Sequence, residues 1–479
     1  MNKRSLIYIA VASALLAGCS MGPAYERPAA ELPEAWLAVP AQGKTMPADR
    51  WWTIYGDATL DRLVSEALAG NQDLALATAR LDEARALARI ADAALAPSVD
   101  AAFQRDRSRR SNSTATRFPG ALENNNYRAR LNVAYEIDLW GRLSNSNKAA
   151  RAELLATTAA RETVRIALTA EVARSYYALV SYDAQIAATR RSLELRQQDF
   201  RLQRIRADAG LINEFTLRQR EAEVLAAQAQ LPALERRRTG EELALGVLLG
   251  RSPRALINNT VVRTTEAGQP ATPVIPADLP SSLLLRRPDI VTAEQQLIAA
   301  NARIDATRAA LFPRIGLSGY LGSESAALSN LFSGPAQIWN LGFALAQPIF
   351  QGGRLFGEIE AVEARERQAL AQYQKTLQTA FRETHDALVA QTKAREVFDA
   401  ETARAAALNE TLRLARIRFD NGLTSQLEMF DAERNLLNAE LNRADALRAQ
   451  RAAVADVVRA LGGGWTGLPK NSPAVAKTN

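Results

Sequence analysis

The sequence contains one cysteine, Cys19, and one histidine, His385, so the residue types that most often carry chemistry are scarce. A structural zinc site draws on several Cys or His ligands, and a nucleophilic pair needs a basic neighbour beside its thiol or hydroxyl. A His/Cys metal site is therefore nearly excluded, and His385 is expected on a helix surface. Only paired carboxylates could support catalysis, and no catalytic sequence motif surrounds such a pair. We therefore expect a protein that is not an enzyme and holds no metal.

Cys19 instead follows a segment with the features of a secretory leader. Basic residues near the start precede an apolar stretch, 6–17, that is too short to cross a membrane as a helix. Small residues stand directly before the cysteine, as at the acylation site of bacterial lipoproteins. Ser20 follows the cysteine, and this residue resembles the signal that sorts lipoproteins to the outer membrane. We predict a signal peptide over 1–18 and covalent lipid on Cys19. The alternative is an ordinary leader with an incidental cysteine.

Length and composition favour a helical protein. The chain has 479 residues, of which 47% are hydrophobic and only 6% are aromatic, and alanine, leucine, arginine and glutamate dominate long tracts. Such a composition is typical of long helices that pack closely. The net charge of +7 is modest and interspersed, which argues against a nucleic-acid partner. After the leader no apolar run is long enough for a transmembrane helix, so the chain could cross a membrane only with strands.

The body of the chain is one unit that occurs twice. Pro97 recurs as Pro313, and we call this shift in residue number the first offset. Gly210 recurs as Gly422, and we call this slightly smaller shift the second offset. The change from one to the other falls within a predicted hairpin, where length changes are tolerated. The predicted parts are a signal peptide (1–18), an anchored N-terminal segment (19–56), a first repeat (57–264), a second repeat (265–462) and a peripheral C-terminal tail (463–479).

Each repeat has the same predicted elements. A helix of about 25 residues ends before a proline, two strands follow, and two long helices flank a glycine. The long helices are predicted at about 142–209, 213–249, 354–421 and 425–461. At about 1.5 Å per residue, the longer ones would extend roughly 100 Å.

The strands are predicted to have one apolar and one polar face. They lie at about 98–107, 126–139, 314–322 and 339–350, and the second alternates without a break. Its polar set, expected to line a wet lumen, is Arg128, Arg130, Asn132, Glu136 and Asp138. Each strand has roughly the length that crossing a membrane requires. The alternative is a soluble sheet with one wet face.

A single chain supplies too few strands for a barrel. Known transmembrane barrels begin at about eight strands, and a sheet in lipid cannot leave its edges unpaired. The chain must then share its strands with further copies. Two copies would give a filled barrel, whereas three would give about twelve strands and room for a lumen, so we predict a homotrimer.

Five short motifs occur in order along the chain. They are Gly22–Pro28 after the cysteine, Trp51-Trp52 with Tyr55-Gly56-Asp57, Asp138–Arg142, Arg286–Ile290 and Leu461–Trp465. Together they resemble the TolC/OprM family of outer-membrane efflux lipoproteins. Any one motif is weak, but five in order over nearly the whole mature chain are specific.

The resemblance implies a mainly helical, TolC-like fold. Long coiled-coil helices would form an α-barrel, and each chain would lend four β-strands to a shared twelve-stranded β-barrel in a trimer. The implied function is the outer-membrane channel of a tripartite efflux pump, a passive conduit for drugs or other small toxic solutes. It would be lipid-anchored in the cell outer membrane and extend into the periplasm. The implied partners are a periplasmic adaptor and an inner-membrane transporter, usually proton-driven (RND type), with no cofactor beyond the lipid on Cys19.

The resemblance also implies a gate where the tunnel meets the periplasm. Carried over by position from Gly422, the gate residues are Leu427 as an apolar constriction, Glu428 and Asp431 as acidic residues near the threefold axis, and Arg434 as a pairing candidate. A ring of three carboxylates would raise the pKa of each by mutual repulsion. The alternative is that both are solvated charges on a helix face.

Some relatives close this gate with a Tyr/Arg-to-Asp network that is absent here. The corresponding positions hold Phe419, Thr424 and Thr216. The helix turns at Gly210 and Gly422 are predicted to cap their helices and to contact the adaptor.

Two other functions remain open on the sequence alone. A conduit for type I protein secretion differs little in sequence, although the lipidation site and the motif after it favour the efflux branch. A structural coiled-coil lipoprotein is the second alternative, but it would carry soluble β-modules instead of alternating strands of membrane length.

Overall fold

The computed structural model describes residues 25–29, 50–111, 113, 121–258, 261–268, 270–275, 281–465 and 467–468. Cys19, the predicted signal peptide, and most of the anchored segment and the tail lie outside these residues. Within the described part, the chain forms long helices and one four-stranded antiparallel sheet.

The two repeats fold into matching series of elements. After a short helix, α1 (Ala58–Gly70), the first series is α2 (Gln72–Ala93), β1 (Ser98–Arg109), β2 (Glu123–Ile137), α3 (Arg142–Asp208) and α4 (Glu214–Leu248). After a connecting helix, α5 (Pro253–Asn258), the second is α6 (Pro288–Ala309), β3 (Arg314–Ser325), β4 (Gln337–Ala346), α7 (Arg354–Asp420) and α8 (Gln426–Ala460). Corresponding helices have equal lengths of 22, 67 and 35 residues.

The helices pack side by side in the order α2, α3, α6, α7, and α4 and α8 fold back along α3 and α7. Alanines allow this close approach, as where Ala149 and Ala152 of α3 meet Ala299 and Ala302 of α6. Among the described residues, none of the helices combines the length and the apolar character that crossing a bilayer requires.

The sheet has the order β1-β2-β3-β4, so β1 and β4 form its edges. β2 begins three residues earlier than predicted, because Glu123 to Asn125 continue to pair with the end of β1 although they break the polar alternation. β4 ends at Ala346 instead of 350, because Pro348 has no N–H to donate to a neighbouring strand.

The main hydrophobic core lies at half height along the helices, far from both the sheet and the hairpin turns. Trp51 donates from its indole nitrogen to the Thr169 hydroxyl of α3 at 3.0 Å. Tyr55 donates to the Arg451 carbonyl of α8 at 2.7 Å, and both rings are almost fully buried. The chain before α1 thus ties the two repeats together.

Candidate functional site

The far end of each helical hairpin is a tight turn around a glycine. α7 ends at Asp420, and Gly422 follows with a φ of +71°, which L side chains rarely adopt. The Leu423 amide donates to the Arg418 carbonyl at 2.8 Å, which closes a Schellman motif. The first repeat has the same turn, with Gly210 at a φ of +73°. Both glycines therefore cap their helices, and the predicted contact with an adaptor stays a prediction.

Each turn exposes the same set of apolar side chains. The first set is Leu202, Ile205, Leu211 and Phe215, and the second is Leu414, Ile417, Leu423 and Leu427. All members are matched by the second offset, and Leu211 and Leu423 are 73% and 70% exposed. We call these two sets the tip patches. Exposed apolar patches are common on surfaces that bind another macromolecule.

The predicted gate residues lie on the first turns of α8, where Leu427 belongs to the second tip patch. Asp431 accepts a hydrogen bond from Arg434, its predicted pairing candidate, at 2.7 Å. The Glu428 carboxylate accepts one from the Thr424 hydroxyl, one turn earlier. The structure thus brings the gate residues together on one surface of the hairpin end. A ring of carboxylates would need the same surface from further copies.

A buried cation that the sequence analysis missed lies next to the predicted gate residues. Arg220 on α4 is 4% exposed, and its guanidinium lies 2.9 Å from the Asp199 carboxylate on α3. The same guanidinium lies over the Phe430 ring on α8, so it joins the two hairpins. Glu433 lies three residues further along α8, and its negative charge acts to raise the pKa of Arg220. We call these four residues the hairpin junction.

Burial governs the charges of the hairpin junction. It lowers the pKa of Arg220 to about 10, against the opposing effect of Asp199. It also raises the pKa of Glu433 above its ordinary value, against the opposing effect of Arg220. One signal in the sequence could have revealed this site. Arg220 precedes Val224 and Ala227 at helical spacing, so a cation stands on a helix face that is otherwise apolar and buried.

The polar set on β2 has charged or aromatic partners on neighbouring elements. Arg128 lies 2.9 Å from Glu324 of β3, and Arg142 at the start of α3 lies 2.8 Å from Glu136. Arg130 lies over the ring of Tyr320, and Asn132 pairs opposite the same residue. The opposite face is apolar and exposed in the single chain, and includes Leu131, Val133, Leu321, Trp339, Leu341, Phe343 and Leu345.

Asp138 has a different position from the rest of this polar set. β2 ends at Ile137, and the Asp138 carboxylate accepts hydrogen bonds from the amides of Leu143 at 2.9 Å and Ser144 at 2.7 Å. It caps the start of α3, where backbone amides have no partner within the helix. The structure therefore gives Asp138 a capping role, which alternating polarity alone does not indicate, and its predicted position at the lumen stays a prediction.

Arg27 fastens the N-terminal part of the described chain to α6. Its Nη2 donates to Glu294 Oε2 at 2.7 Å, and Glu294 is 5% exposed. Tyr25 lies in the same contact, where burial and then the negative charge of Glu294 raise the pKa of Tyr25. Because Arg27 follows Cys19 by eight residues, this ion pair limits how far the predicted lipid anchor can extend.

Both repeats match one protein-family model. The model, described as outer membrane efflux protein, matches residues 63–251 and 279–463. The chain belongs to the outer membrane efflux protein family. The first matched segment contains α2 to α4 and the second contains α6 to α8, so the internal repeat is the unit of this family.

Individual outer membrane efflux proteins are similar over nearly their whole length. Outer membrane protein OprJ of Pseudomonas aeruginosa is 36% identical over 94% of this chain and 94% of its own. Cation efflux system protein CusC of Escherichia coli is 32% identical over 97% of this chain and 100% of its own. The crystal structure of the Campylobacter jejuni CmeC outer membrane channel, 26% identical, has a TM-score of 0.87 over 93% of this chain and 95% of its own.

The protein is therefore an outer-membrane efflux channel with a TolC-like fold. This confirms the predicted family, fold, efflux function and outer-membrane location. The relatives are channel-type proteins and outer-membrane components of efflux pumps. The trimer, the lipid on Cys19, the gate and the particular partners stay predictions.

Proposed function

We propose that three copies of this chain form a passive conduit, the outer-membrane part of a tripartite efflux pump for drugs or other small toxic solutes. The open sheet carries the proposal. Its four strands expose an apolar face, and the outer edges of β1 and β4 have no strand beside them among the described residues. A bilayer offers no water to such edges, so copies must pool their strands in a closed barrel.

Three copies fit the two faces of the sheet better than two. Three would give about twelve strands, whereas a barrel of about eight is filled by its own side chains. Arg128 and Glu136 would then face a wet lumen with the partners they already have. Trp339 and Leu341, which are 77% and 79% exposed in the single chain, would face lipid.

The tip patches support a periplasmic adaptor as the next component of the pump. α3 and α7 each have 67 residues, or roughly 100 Å at about 1.5 Å per residue, so both patches stand far from the sheet. We propose that the adaptor covers Leu211 and Leu423 and that an inner-membrane transporter of the proton-driven RND type lies beyond it. Selection of the solute would then belong to the transporter.

The ion pair between Arg27 and Glu294 supports a lipid on Cys19. A chain of eight residues extends at most roughly 29 Å. The helix from Glu294 to the end of α6 covers about 22 Å, and β3 begins five residues after that end. Cys19 can therefore reach the level of the sheet, where its lipid would enter the bilayer. We propose no cofactor beyond this lipid.

We place the gate at Glu428 and Asp431, with Leu427 and Arg434 beside them. Threefold symmetry would bring the same face of α8 to the axis from each copy. The carboxylates would then attract cations and repel one another, and Arg434 would offset part of that repulsion. The hairpin junction lies directly behind this face and would hold it at a fixed distance from the first repeat.

Full-length protein purified in detergent tests the proposal. Light scattering should give about three times the mass of one 52.1 kDa chain. The purified protein should form ion-conducting channels in planar lipid bilayers. Expression in a strain without its own efflux channels should restore drug resistance when the matching adaptor and transporter are present. A protein that stays monomeric, or a trimer that never conducts, would contradict the proposal.

Replacing the tip leucines tests the adaptor contact separately. Leu211→Asp with Leu423→Asp should abolish drug resistance while trimer mass and bilayer conductance remain. Ile257→Asp, at an 84% exposed apolar residue of the connecting helix α5, is the matched control and should keep resistance. Drug resistance that persists in the Leu211→Asp, Leu423→Asp variant would show that the adaptor does not bind this surface.

A further inference from the structure

The apolar face of the sheet changes its chemistry along β1. Directly opposed residues of an antiparallel pair point to the same side of a sheet, and Ala101 pairs with Leu131 of the apolar face. The odd-numbered residues of β1 therefore lie on that face, which the proposed barrel turns toward lipid. They are Val99, Ala101 and Phe103 in the first half of the strand and Arg105, Arg107 and Arg109 in the second half. All of them are exposed, and we call the last three the outward arginines.

The outward arginines lie at the end of the sheet that is farthest from the helices. β1 follows α2 and runs away from it, so Ser98 is near the helices and Arg109 is at the far end. Since the helices of the proposed channel extend into the periplasm, this far end opens at the cell surface. At about 3.4 Å per residue, Arg105 lies roughly 7 Å beyond Phe103. A cation on the lipid side of a barrel is costly at mid-membrane and tolerated near the lipid head groups.

The neighbouring strands leave the apolar face at the same level. Tyr127 of β2 pairs with Arg105 on one side and with Ser325 of β3 on the other. Beyond this row, Glu123 of β2 pairs with Arg109. Tyrosine is typical of the boundary between the apolar band of a barrel and the lipid head groups. The row from Arg105 to Ser325 therefore marks that boundary, and Arg107 and Arg109 stand beyond it.

One carboxylate offsets only part of the charge of the outward arginines. Arg107 Nη2 lies 2.9 Å from Glu123 Oε2, and both side chains are more than half exposed. The Arg105 guanidinium lies 5.6 Å from the centre of the Tyr127 ring. Within the described part of the chain, neither Arg105 nor Arg109 forms an ion pair with a carboxylate. The outward arginines therefore leave a positive surface directly beside an apolar one.

The second repeat has no cations at the corresponding positions. The first offset moves the outward arginines to Leu321, Ser323 and Ser325 of β3. β1 and β3 both have 12 residues, and each pairs with the strand that follows it. The shared hairpin thus forms without these charges, so strand pairing does not explain them. A negatively charged partner outside the chain would explain them.

We propose that the outward arginines bind the phosphate groups of lipids in the outer leaflet of the outer membrane. Each guanidinium can donate two parallel hydrogen bonds to a phosphate. The acyl chains of the same lipid would cover Val99 and Phe103, which are 63% and 64% exposed in the single chain. The Cα atoms of Arg105 and Arg109 are about 13 Å apart along the strand, so there is room for more than one phosphate. The inference rests on the proposed barrel and adds the class of lipid that its outer surface binds.

Lipid titrations of the full-length protein in detergent test this contact. The probes are lipopolysaccharide with its lipid A phosphates and the same lipopolysaccharide after enzymatic removal of those phosphates. The unsubstituted protein should bind the phosphorylated form more tightly, and its affinity should fall as salt concentration rises. A variant with Arg105→Gln, Arg107→Gln and Arg109→Gln should bind that form roughly hundredfold more weakly, since each arginine near a charged lipid surface contributes a factor of roughly five.

Two further variants separate a local contact from a general effect of charge. Glu123→Gln removes the carboxylate that pairs with Arg107 and should strengthen binding of the phosphorylated form roughly fivefold. The matched control, Arg236→Gln with Arg237→Gln and Arg382→Gln, changes three exposed arginines of the helices and alters the net charge equally. This control should leave the affinity unchanged. Inorganic phosphate at the concentration of the lipid should not compete, because it covers no apolar surface.

The outcomes separate the lipid contact from the proposed channel. Equal binding of the two forms of lipopolysaccharide, an equal loss of binding in the outward and control variants, or competition by inorganic phosphate would overturn the lipid contact. A trimer that conducts would leave the channel standing in each case. If the triple outward variant does not assemble, Glu123→Gln decides, and no gain in affinity there would overturn the contact. An unsubstituted protein that stays monomeric would overturn the proposed function itself.

Discussion

Arg308 of α6 donates to Glu363 of α7 at 2.8 Å, and the first repeat holds the same contact with its charges exchanged. There Asp92 of α2 accepts from Arg151 of α3 at 2.7 Å. The first offset relates Asp92 to Arg308, and the second relates Arg151 to Glu363. The packing of the short helix on the long one has therefore been kept in both repeats, while the direction of the ion pair has not.

Exchanging the charges of one pair tests this equivalence. Glu363→Arg alone should destabilise the protein, because two guanidinium groups would then face each other. Adding Arg308→Glu should restore most of the loss. The pair is about one third exposed, so its coupling should be only ~0.2–1 kcal/mol. A double-mutant cycle on the midpoints of unfolding in guanidinium chloride measures this coupling. A coupling indistinguishable from zero would mean that the contact is incidental.

Asp431→Ala should increase the passive leak of small solutes through the channel. The change removes the acceptor of Arg434 and one carboxylate per copy from the proposed ring. Single-channel recordings should show a larger open fraction or conductance. The matched control is Gln219→Ala, the equivalent position of the first repeat, which should leave the recordings as they were. Unchanged conductance after Asp431→Ala would remove this residue from the gate.

Asp199→Asn should destabilise the hairpin junction by about 1–3 kcal/mol, because Arg220 would stay buried with weaker charge compensation. Arg220→Met in the same chain should recover much of the loss, since methionine keeps most of the volume and contacts Phe430 through its sulfur. Thermal unfolding of the trimer in detergent follows both changes. If the double variant were less stable than Asp199→Asn alone, the burial of this cation would not be the dominant cost.

Glu433 should make stability depend on pH in a defined direction. Its pKa is raised in the folded chain, so folding favours the protonated form. The wild type therefore loses stability as pH rises from the ordinary glutamate pKa of about 4.3 through the raised value, and the loss is constant above it.

Glu433→Gln cannot titrate, so the variant should gain stability relative to the wild type across that pH window and keep the gain above it. The measurement is the difference in unfolding midpoint at a series of pH values. Glu440→Gln, which changes another glutamate of α8, provides the comparison. A difference for Glu433→Gln that does not vary with pH would show that burial of its charge has no effect on stability.

Arg27→Ala should release the N-terminal segment from α6 without changing the assembly. Glu294 would keep its charge in a 5% exposed position without its cation, so the variant should also unfold more easily. Limited proteolysis should cut near residue 27 faster, while light scattering still reports a trimer. Glu294→Gln should weaken the same contact, and an unchanged cleavage rate in both variants would show that the ion pair does not hold the segment.

Much of the fold could be predicted because its boundaries carry their own chemistry. α3 and α7 end within a residue or two of the predicted positions, since Gly210 and Gly422 supply the left-handed conformation that closes each turn. The end of β4 was predicted too late because the apolar run continues to Phe350 and hides the effect of Pro348. The sequence pattern predicts the end of a strand from side-chain polarity alone, whereas the strand itself ends where backbone hydrogen bonds are no longer available.

The hairpin junction could not be predicted with the same ease. Asp199 and Arg220 lie on two successive helices, and Phe430 comes from the other repeat, so only the packed hairpins bring them together. The gate residues are assigned through the resemblance and stay a prediction, although the partners of Asp431 and Glu428 lie within one turn of the same chain segment. Their proposed arrangement around a threefold axis involves further copies, which one sequence does not position.

The equal lengths of α3 and α7, and of α4 and α8, restrict how this protein can change during evolution. One inserted residue rotates everything beyond it by about 100° and advances it by about 1.5 Å. An insertion in one repeat alone would leave the two hairpin turns at unequal distances from the sheet and rotate one tip patch relative to the other. Tolerated insertions and deletions should therefore come in steps of about seven residues, one heptad, and occur in both repeats together.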